Sequence, residues 1–571
     1  MAKQAPKKAD NSGKKPRQAR ITTTSKKVFS LRFSKVGLLT ALFFFALSLF
    51  PSLLPRGFVV QGVLSGITAV IGYGIGVFFH WLWLYLGVPT PNPKHKLIVN
   101  RVCIGIVLFS LASTAWQYVG WQNSLRDVFG QESTSFLILF PAVIVTILVA
   151  WLFLIIGRSV RKLYHFLSRL LSKYTSERLA KVVGVLAASI VTIMLINGVL
   201  VQGFFSLANS AFSVRDSTLE DSVKAPESAL RSGSEESDAK WDTLGKQGRR
   251  FVSGGPTADD INKQTGGGAQ EPIRVYAGLK SAENIEERAN LLLDELIRTN
   301  AFDRKTLVLV TTTGTGWIDP KAIDPLEYVN NGDTAVAGVQ YSYLPSWISL
   351  LADQEVVQES SRVTFGKIHD YWSTLPENER PKFYVYGLSL GSFGAESFLN
   401  SIELANAPID GALLAGPPFM NRLHKEIEAD RDPKSPLWQP IVNNGRTVRF
   451  TAKEDALDKP TGTWGNTKII YLQHASDPVV WFSGDLLYKS PEWLEQGQRG
   501  PDIINAFVWI PVVTMWQVAA DLPVASAVPN GYGHEYAPES NIDSWAALTQ
   551  PEGWTEEKAK ALKAYFSNAG Y

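Results

Sequence analysis

The stretch Gly387-Leu388-Ser389-Leu390-Gly391 sets a serine two residues from a glycine on either side. A serine hydroxyl is unreactive at its own pKa. It becomes a nucleophile only with a base to take its proton and an acid to orient that base. The glycines matter because a nucleophile raised on a sharp turn brings the residues two before and two after it close together. The pattern alone is weak. With Gly 45 in 571 residues, roughly 0.3 chance matches are expected. The partners have to decide.

The chain has seven histidines. His80, His95 and His165 lie among long apolar runs, away from the serine. His369 and His424 fall in helical or inserted segments, where surface or packing roles fit them. His474 follows a strand but precedes the best acid. His534 sits in "NGYGHEY", a glycine-rich loop before the last helix. That is the place of a base in the order Ser, Asp, His. For the acid, Asp477 follows "KIIYLQHAS" at a strand end, with Pro478 fixing the turn. Asp455 and Asp485 are less well placed. The expected triad is therefore Ser389, Asp477 and His534. An oxyanion formed at Ser389 needs backbone N–H donors. Leu390 offers one, and the loop "TGTGWIDP" offers a second, from Thr315 or Trp317. Gly314 and Gly316 let that backbone approach a substrate.

These residues need a scaffold. From residue 272, strands such as "PIRVYAGL", "TLVLVTTT" and "KFYVYGL" alternate with amphipathic helices. Alternation with continuously apolar strands predicts a mostly parallel sheet covered on both faces. Ligands bind beyond the carboxyl ends of such strands, which is where Ser389 falls. Gly387 and Gly391 then form the elbow, with Ser389 opening a helix whose N-terminus favours negative charge.

The remainder of the chain is of another kind. Five apolar runs, at 36–54, 59–86, 98–120, 136–157 and 182–208, are each near the ~20 residues that cross a bilayer. Gly62-x-x-x-Gly66 and Gly72-x-x-x-Gly76 predict close helix packing. Lys and Arg crowd the tail 1–35 and the second and fourth connections, whereas the first and third hold only Arg56 and Arg126. The bias predicts a cytoplasmic N-terminus and an outer C-terminal domain. The basic, amphipathic fourth connection is expected on the inner leaflet. Spans almost free of ionisable groups argue against an ion-coupled carrier. Residues 209–271 read as a polar, mostly disordered linker in which "KWDTLGKQGRRFV" docks.

The net charge of +3 gives no reason to expect nucleic acid. The single cysteine, Cys103, excludes an internal disulfide and a cysteine-based metal site. No metal or organic cofactor is expected, and the oligomeric state stays open.

The motifs "WDTLGKQGRRFV", "TTTGTGWIDP", "YGLSLGS", "YLQHASDPVVWF" and "GYGHEY" resemble the α/β-hydrolase superfamily. Within it they resemble bacterial membrane-anchored members with a multi-span N-terminal domain, over roughly residues 30 to 571. The family elbow reads G-E-S-L-G, and Leu388 departs from it. The resemblance implies an α-helical membrane bundle followed by an α/β-hydrolase domain, 272–571, with a Ser-Asp-His enzyme site. It settles no substrate. The expected activity is hydrolysis of a lipid or acylated envelope ester outside the cytoplasm. Acyl transfer to a sugar or protein hydroxyl uses the same triad. A lipid-binding or lipid-transport protein with an inert outer domain is the non-enzymatic alternative.

One insert between acid and base, "INAFVWIPVVTMWQVAADL" at 504–522, is too short for a comfortable span and carries Pro511. Two readings are open: a cap buried on the sheet, or a lid facing the bilayer. In either, Trp509 and Trp516, seven apart, share one helix face and line the substrate pocket.

Overall fold

The protein is described by a computed structural model covering residues 33–89, 92–352 and 354–571. Residues 1–32, most of the basic tail, lie outside that description.

The apolar runs form helices α1 (Lys35–Ser48), α2 (Phe58–Tyr85), α3 (Pro93–Val128), α4 (Leu139–Leu171), α5 (Glu177–Met194) and α6 (Gln202–Ser217). A short 3₁₀ turn precedes α4, and α5 runs into α6 through a π-helical segment. Among the described residues, four continuous helical segments are long and apolar enough to cross a membrane. They correspond to the second to fifth expected spans. The first does not, because α1 has only 14 residues. Pro51 and Pro55 follow it, and a proline lacks the N–H that continues a helix. Residues 49–57 instead run irregularly and are largely buried. Close packing does occur at the glycines. A Cβ at Gly62 or Gly66 would stand 2.5 or 2.7 Å from Val145 or Val149 of α4. One at Gly72 or Gly76 would collide with Phe44 or Thr40 of α1. Elsewhere the helices present apolar side chains outward, as at Trp116, which is 85% exposed.

Residues 209–271 are not a disordered tether. Helix α6 extends to Ser217, and α7 (Gly245–Ser253) and Ala258–Thr265 follow as further helices. The polar composition misleads because its polar groups are paired and buried. Ser232 and Ser237 both donate to Glu295 Oε2, at 2.6 and 2.9 Å. Arg231 is 4% exposed and donates to the carbonyls of Val252 and Gly254. The expected docking of "KWDTLGKQGRRFV" is present: Gly248 of α7 lies against the Tyr276 ring.

Seven strands follow: β1 (Ile273–Ala277), β2 (Thr306–Thr311), β3 (Thr334–Val339), β4 (Lys382–Leu388), β5 (Gly411–Ala415), β6 (Val448–Thr451) and β7 (Lys468–Leu472). They pair in the order β1-β3-β2-β4-β5-β7-β6, every pairing parallel. β2, β3 and β5 are buried at every residue. Parallel strands joined by helices bury both faces, so apolar residues run without alternation. One apolar core forms on each face. Tyr386, Leu472 and Trp545 belong to one, and Val385, Leu414 and Trp372 to the other.

The insert 504–522 differs from expectation. Only Val513–Asp521 is helical, and Val512 before it has φ +68°. Trp509 therefore lies outside the helix and shares no helical face with Trp516. Trp509 donates from Nε1 to the Leu486 carbonyl at 2.8 Å. The short helix is buried: Val513, Gln517, Val518 and Asp521 are 0% exposed. It is wedged against the irregular segment after α1, where Asp521 Oδ2 accepts from the N–H of Leu53 at 3.1 Å. Gln517 Nε2 donates to the carbonyl of Phe50 at 2.9 Å. This is a buried cap, and what it covers is the junction between the two halves of the chain.

Candidate active site

Ser389 stands between β4 and the helix Leu390–Leu399 with φ 53° and ψ −120°. A non-glycine residue there is strained, and such strain persists only where surrounding structure imposes it. Here the N–H of Ser389 donates to the Ala415 carbonyl at 2.8 Å. A Cβ at Gly387 would stand 2.5 Å from the Gly391 carbonyl carbon, and one at Gly391 2.1 Å from the Thr311 carbonyl oxygen. Both positions exclude any side chain. The chain therefore turns sharply at Ser389 between two side-chain-free positions, and Leu388 alters none of that geometry. Ser389 is only partly buried.

Asp477 follows β7, is fully buried, and accepts three hydrogen bonds. Oδ1 takes the N–H of Val479 at 2.8 Å. Oδ2 takes His534 Nδ1 at 2.6 Å and the Tyr536 hydroxyl at 2.7 Å. Burial alone would raise its pKa. The neighbouring His534 and these hydrogen bonds outweigh burial and hold the carboxylate below its ordinary range. Because Nδ1 donates to a carboxylate, the neutral ring keeps its lone pair on Nε2. That atom is buried and has no hydrogen-bond partner among the described residues. Ser389 and His534 both neighbour the Ala415–Gly416 step. Gly416 follows Ala415, and a Cβ there would lie 2.5 Å from the His534 ring.

The loop that carries His534 is pinned residue by residue. The N–H of Gly533 donates to Ser476 Oγ at 2.9 Å, and its carbonyl accepts from His474 Nδ1 at 2.9 Å. The N–H of His534 donates to the Ala525 carbonyl at 2.9 Å. The apolar helical half adds a wall. Leu54 Cδ2 stands 3.3 Å from where a Cβ at Gly533 would be, and Phe129 lies against Tyr532 with ring centroids 4.7 Å apart. Tyr536, Ser476 and His474 were not singled out as site residues by sequence. The signal available for Tyr536 was its place two residues after the histidine. Ser476 and His474 sit beside Asp477 in "HASD".

The loop after β2 turns back on itself. The N–H of Thr313 donates to the Trp317 carbonyl, and that of Gly316 to the Thr313 carbonyl. The N–H of Gly314 donates to Ser346 Oγ at 3.2 Å. Gly316, at φ +79°, fits because a Cβ would meet the Tyr276 hydroxyl at 2.2 Å. No hydrogen bond among the described residues takes the N–H of Leu390, Thr315 or Trp317. Trp509 belongs to the buried cluster with Leu53, Trp481 and Val518 at the junction. No metal-binding group of His, Cys, Asp and Glu occurs among the described residues.

A model of the alpha/beta-hydrolase family matches residues 273–562, half of the chain. The chain belongs to the alpha/beta-hydrolase family. A second model, the N-terminus of an alpha/beta-hydrolase family, matches residues 49–256. For this family member the second match extends over α2 to α7 and over residues 209–256 of the segment first read as a tether. No curated protein and no solved structure is significantly similar to the chain.

Proposed function

We propose that this α/β-hydrolase-family chain is a serine hydrolase acting on acyl esters through Ser389, His534 and Asp477. The observation that carries the proposal is the tautomer of His534: Nδ1 is committed to Asp477, and the lone pair on buried Nε2 is unengaged. A general base needs that state. Catalytic hydrogen bonds are commonly long before substrate binds, so an unformed contact to Ser389 is compatible with the role. In the reaction Ser389 Oγ attacks the acyl carbonyl, and His534 Nε2 takes its proton. Negative charge on the former carbonyl oxygen is met by the N–H of Leu390 and by the Thr315–Trp317 turn. His534 returns the proton to the leaving alcohol, and an acyl-Ser389 remains. Water, activated by His534, then releases the acid. A sugar or protein hydroxyl in place of water makes the same enzyme an acyltransferase.

The position of the site supports a lipid or envelope ester. The connection after α1 and the one after α3 contact the catalytic domain through Leu54 and Phe129. The basic connections after α2 and after α4 lie at the opposite helix ends. With basic connections inside, the catalytic domain is extracytoplasmic and close to the outer leaflet.

The test is labelling of the purified chain with a fluorophosphonate, followed by product analysis on lipid esters with and without sugar acceptors. Wild type labels and turns over ester, and Ser389→Ala lowers turnover by roughly four to six orders of magnitude. Labelling of Ser389→Ala at the wild-type rate defeats the assignment.

A further inference from the structure

Beyond the carboxyl ends of β6 and β7, bordered by Gly531 and Tyr532, lies a cavity of ≈ 320 Å³. Ser389, Asp477 and His534 are not among its lining residues. His474, Ala475, Asp502 and Gln439 line its buried part, and Val128 of α3 contributes from the membrane half. At about 30 Å³ per water, the volume is that of about ten waters. It is a small-ligand pocket, larger than a structural-water site.

His474 gives the chemistry. Its ring is 1% exposed. Nδ1 faces the Gly533 carbonyl, which can only accept, so Nδ1 carries the proton and Nε2 the lone pair. That Nε2 is buried with no partner among the described residues. Burial also lowers the pKa of the imidazole, which keeps it neutral. A buried acceptor left unpaired is destabilising, and only a donor relieves it. Asp502 presents carboxylate oxygen beside it, Oδ2 already taking the N–H of Ser476 at 2.9 Å. Two neighbouring acceptors suit a pair of hydroxyls. Trp438 and Tyr532 add aromatic surface to the wall, and Lys453 Nζ is seated 3.7 Å from the Tyr532 ring centroid. At the rim Lys453 and Lys459 oppose Glu454 and Asp455. With Asp502 the lining holds three carboxylates to two ammonium groups, a balance that disfavours an anionic ligand.

We infer that this cavity binds a neutral polyhydroxyl group of monosaccharide size, with hydroxyls donating to His474 Nε2 and Asp502 and one ring face on Trp438. The site does not depend on whether Ser389 reacts. It is nonetheless wired to the triad, since the His474 ring that meets the ligand also holds Gly533, the residue before His534.

The experiment is calorimetric titration of the full chain in phosphatidylcholine nanodiscs, free of glycoside detergent. The probes are methyl α-glucoside, myo-inositol, glucose 6-phosphate and glucosamine. Saturable binding of a neutral probe is expected. His474→Phe removes the acceptor and fills the floor. Trp438→Ala removes the wall without touching the 531–534 loop. Each weakens binding at least about tenfold, and Trp438→Ala still labels at Ser389 as wild type does. No saturable heat with either neutral probe overturns the inference. So does neutral binding that survives both substitutions. Preference for the phosphate or the amine replaces the neutral ligand with a charged one and equally overturns it.

Discussion

His534 Nδ1 lies 2.6 Å from Asp477 Oδ2, although 57 residues separate them in the chain. The carboxylate is fully buried and also holds the Tyr536 hydroxyl. The two contacts to Asp477 have different chemical consequences. Asp477→Asn puts an amide against Nδ1, which can reverse the tautomer and place the proton on Nε2. Turnover is expected to fall by roughly 10⁴. Tyr536→Phe removes one hydrogen bond and leaves the tautomer alone, so its cost is about 1 kcal/mol, under roughly tenfold in rate. Ester hydrolysis rates of the two variants, measured side by side, check the contrast.

Gly391 and Gly394 share one helix but meet different neighbours. A methyl at Gly391 enters the Thr311 carbonyl of β2 at 2.1 Å, backbone that cannot move without breaking the sheet. At Gly394 it meets Ser361 Oγ, a side-chain atom that can rotate. Gly391→Ala is expected to cost about 3 kcal/mol or more, and Gly394→Ala about 1–2 kcal/mol. Thermal unfolding of both variants reads the difference.

Leu54 belongs to the apolar helical half yet packs beside Gly533. It is 0% exposed and clusters with Trp481, Val518 and Ala525. Leu54→Ala is expected to cost about 2–5 kcal/mol of stability and to slow labelling of Ser389 roughly ten- to hundredfold through displacement of His534. Leu54→Met restores most of both. Unchanged labelling in a destabilised Leu54→Ala chain would make the contact structural only.

Glu428 and His424 approach to 3.4 Å, but they are two uncharged groups. Burial pushes Glu428 up to about 8 and His424 down to about 4. Glu428 binds its proton more tightly folded than unfolded. Its contribution to stability is therefore complete below the ordinary glutamate range near pH ~4.3 and is lost as pH rises toward 8. The slope is about 1.4 kcal/mol per pH unit over that window, levelling off above it. Glu428→Gln, which imitates the protonated carboxyl, flattens the slope. Denaturant unfolding of both chains between pH 6 and pH 9 provides the check.

Six of the seven strands were legible because buried parallel strands are continuous apolar runs, as in "TLVLV" and "GALLA". β6 was not. It has four residues, one of them Arg449, and lies at the sheet edge. The elbow was legible because no other residue fits at 387 and 391. The segment 209–271 failed for the opposite reason: Arg231, Ser232 and Ser237 are polar in type but buried against partners, and pairing is invisible in composition. Residues 49–54 failed because apolar character does not say what it is buried against. They continue the run of α1 in sequence but face Trp481 and Val518 in space. The cap helix repeated that error, with Trp509 and Trp516 assigned to one face of a helix that Pro511 and Val512 prevent.

Leu53 and Asp521 are joined across 468 residues, and that span is also an interval of time. At roughly 5–20 residues per second, synthesis leaves about 20–90 s between the emergence of the two. The hairpin of α1 and α2 must wait through it with its outward face incomplete. Arg56 is held in the meantime by near neighbours: it donates to the Ser48 and Phe50 carbonyls and to Gln61 Oε1. The early-made half can therefore hold both terminal nitrogens of this guanidinium before its distant acidic neighbour, Asp521, exists. The late-made half has no such reserve, because the Ala525 and Val518 side of the cap needs Leu53 and Leu54 to be buried at all. A ribosome stalled before residue 521 would leave a membrane hairpin that is quiet. A chain with a damaged α1 would leave a finished catalytic domain with an open apolar flank, the more attractive target for quality-control proteases.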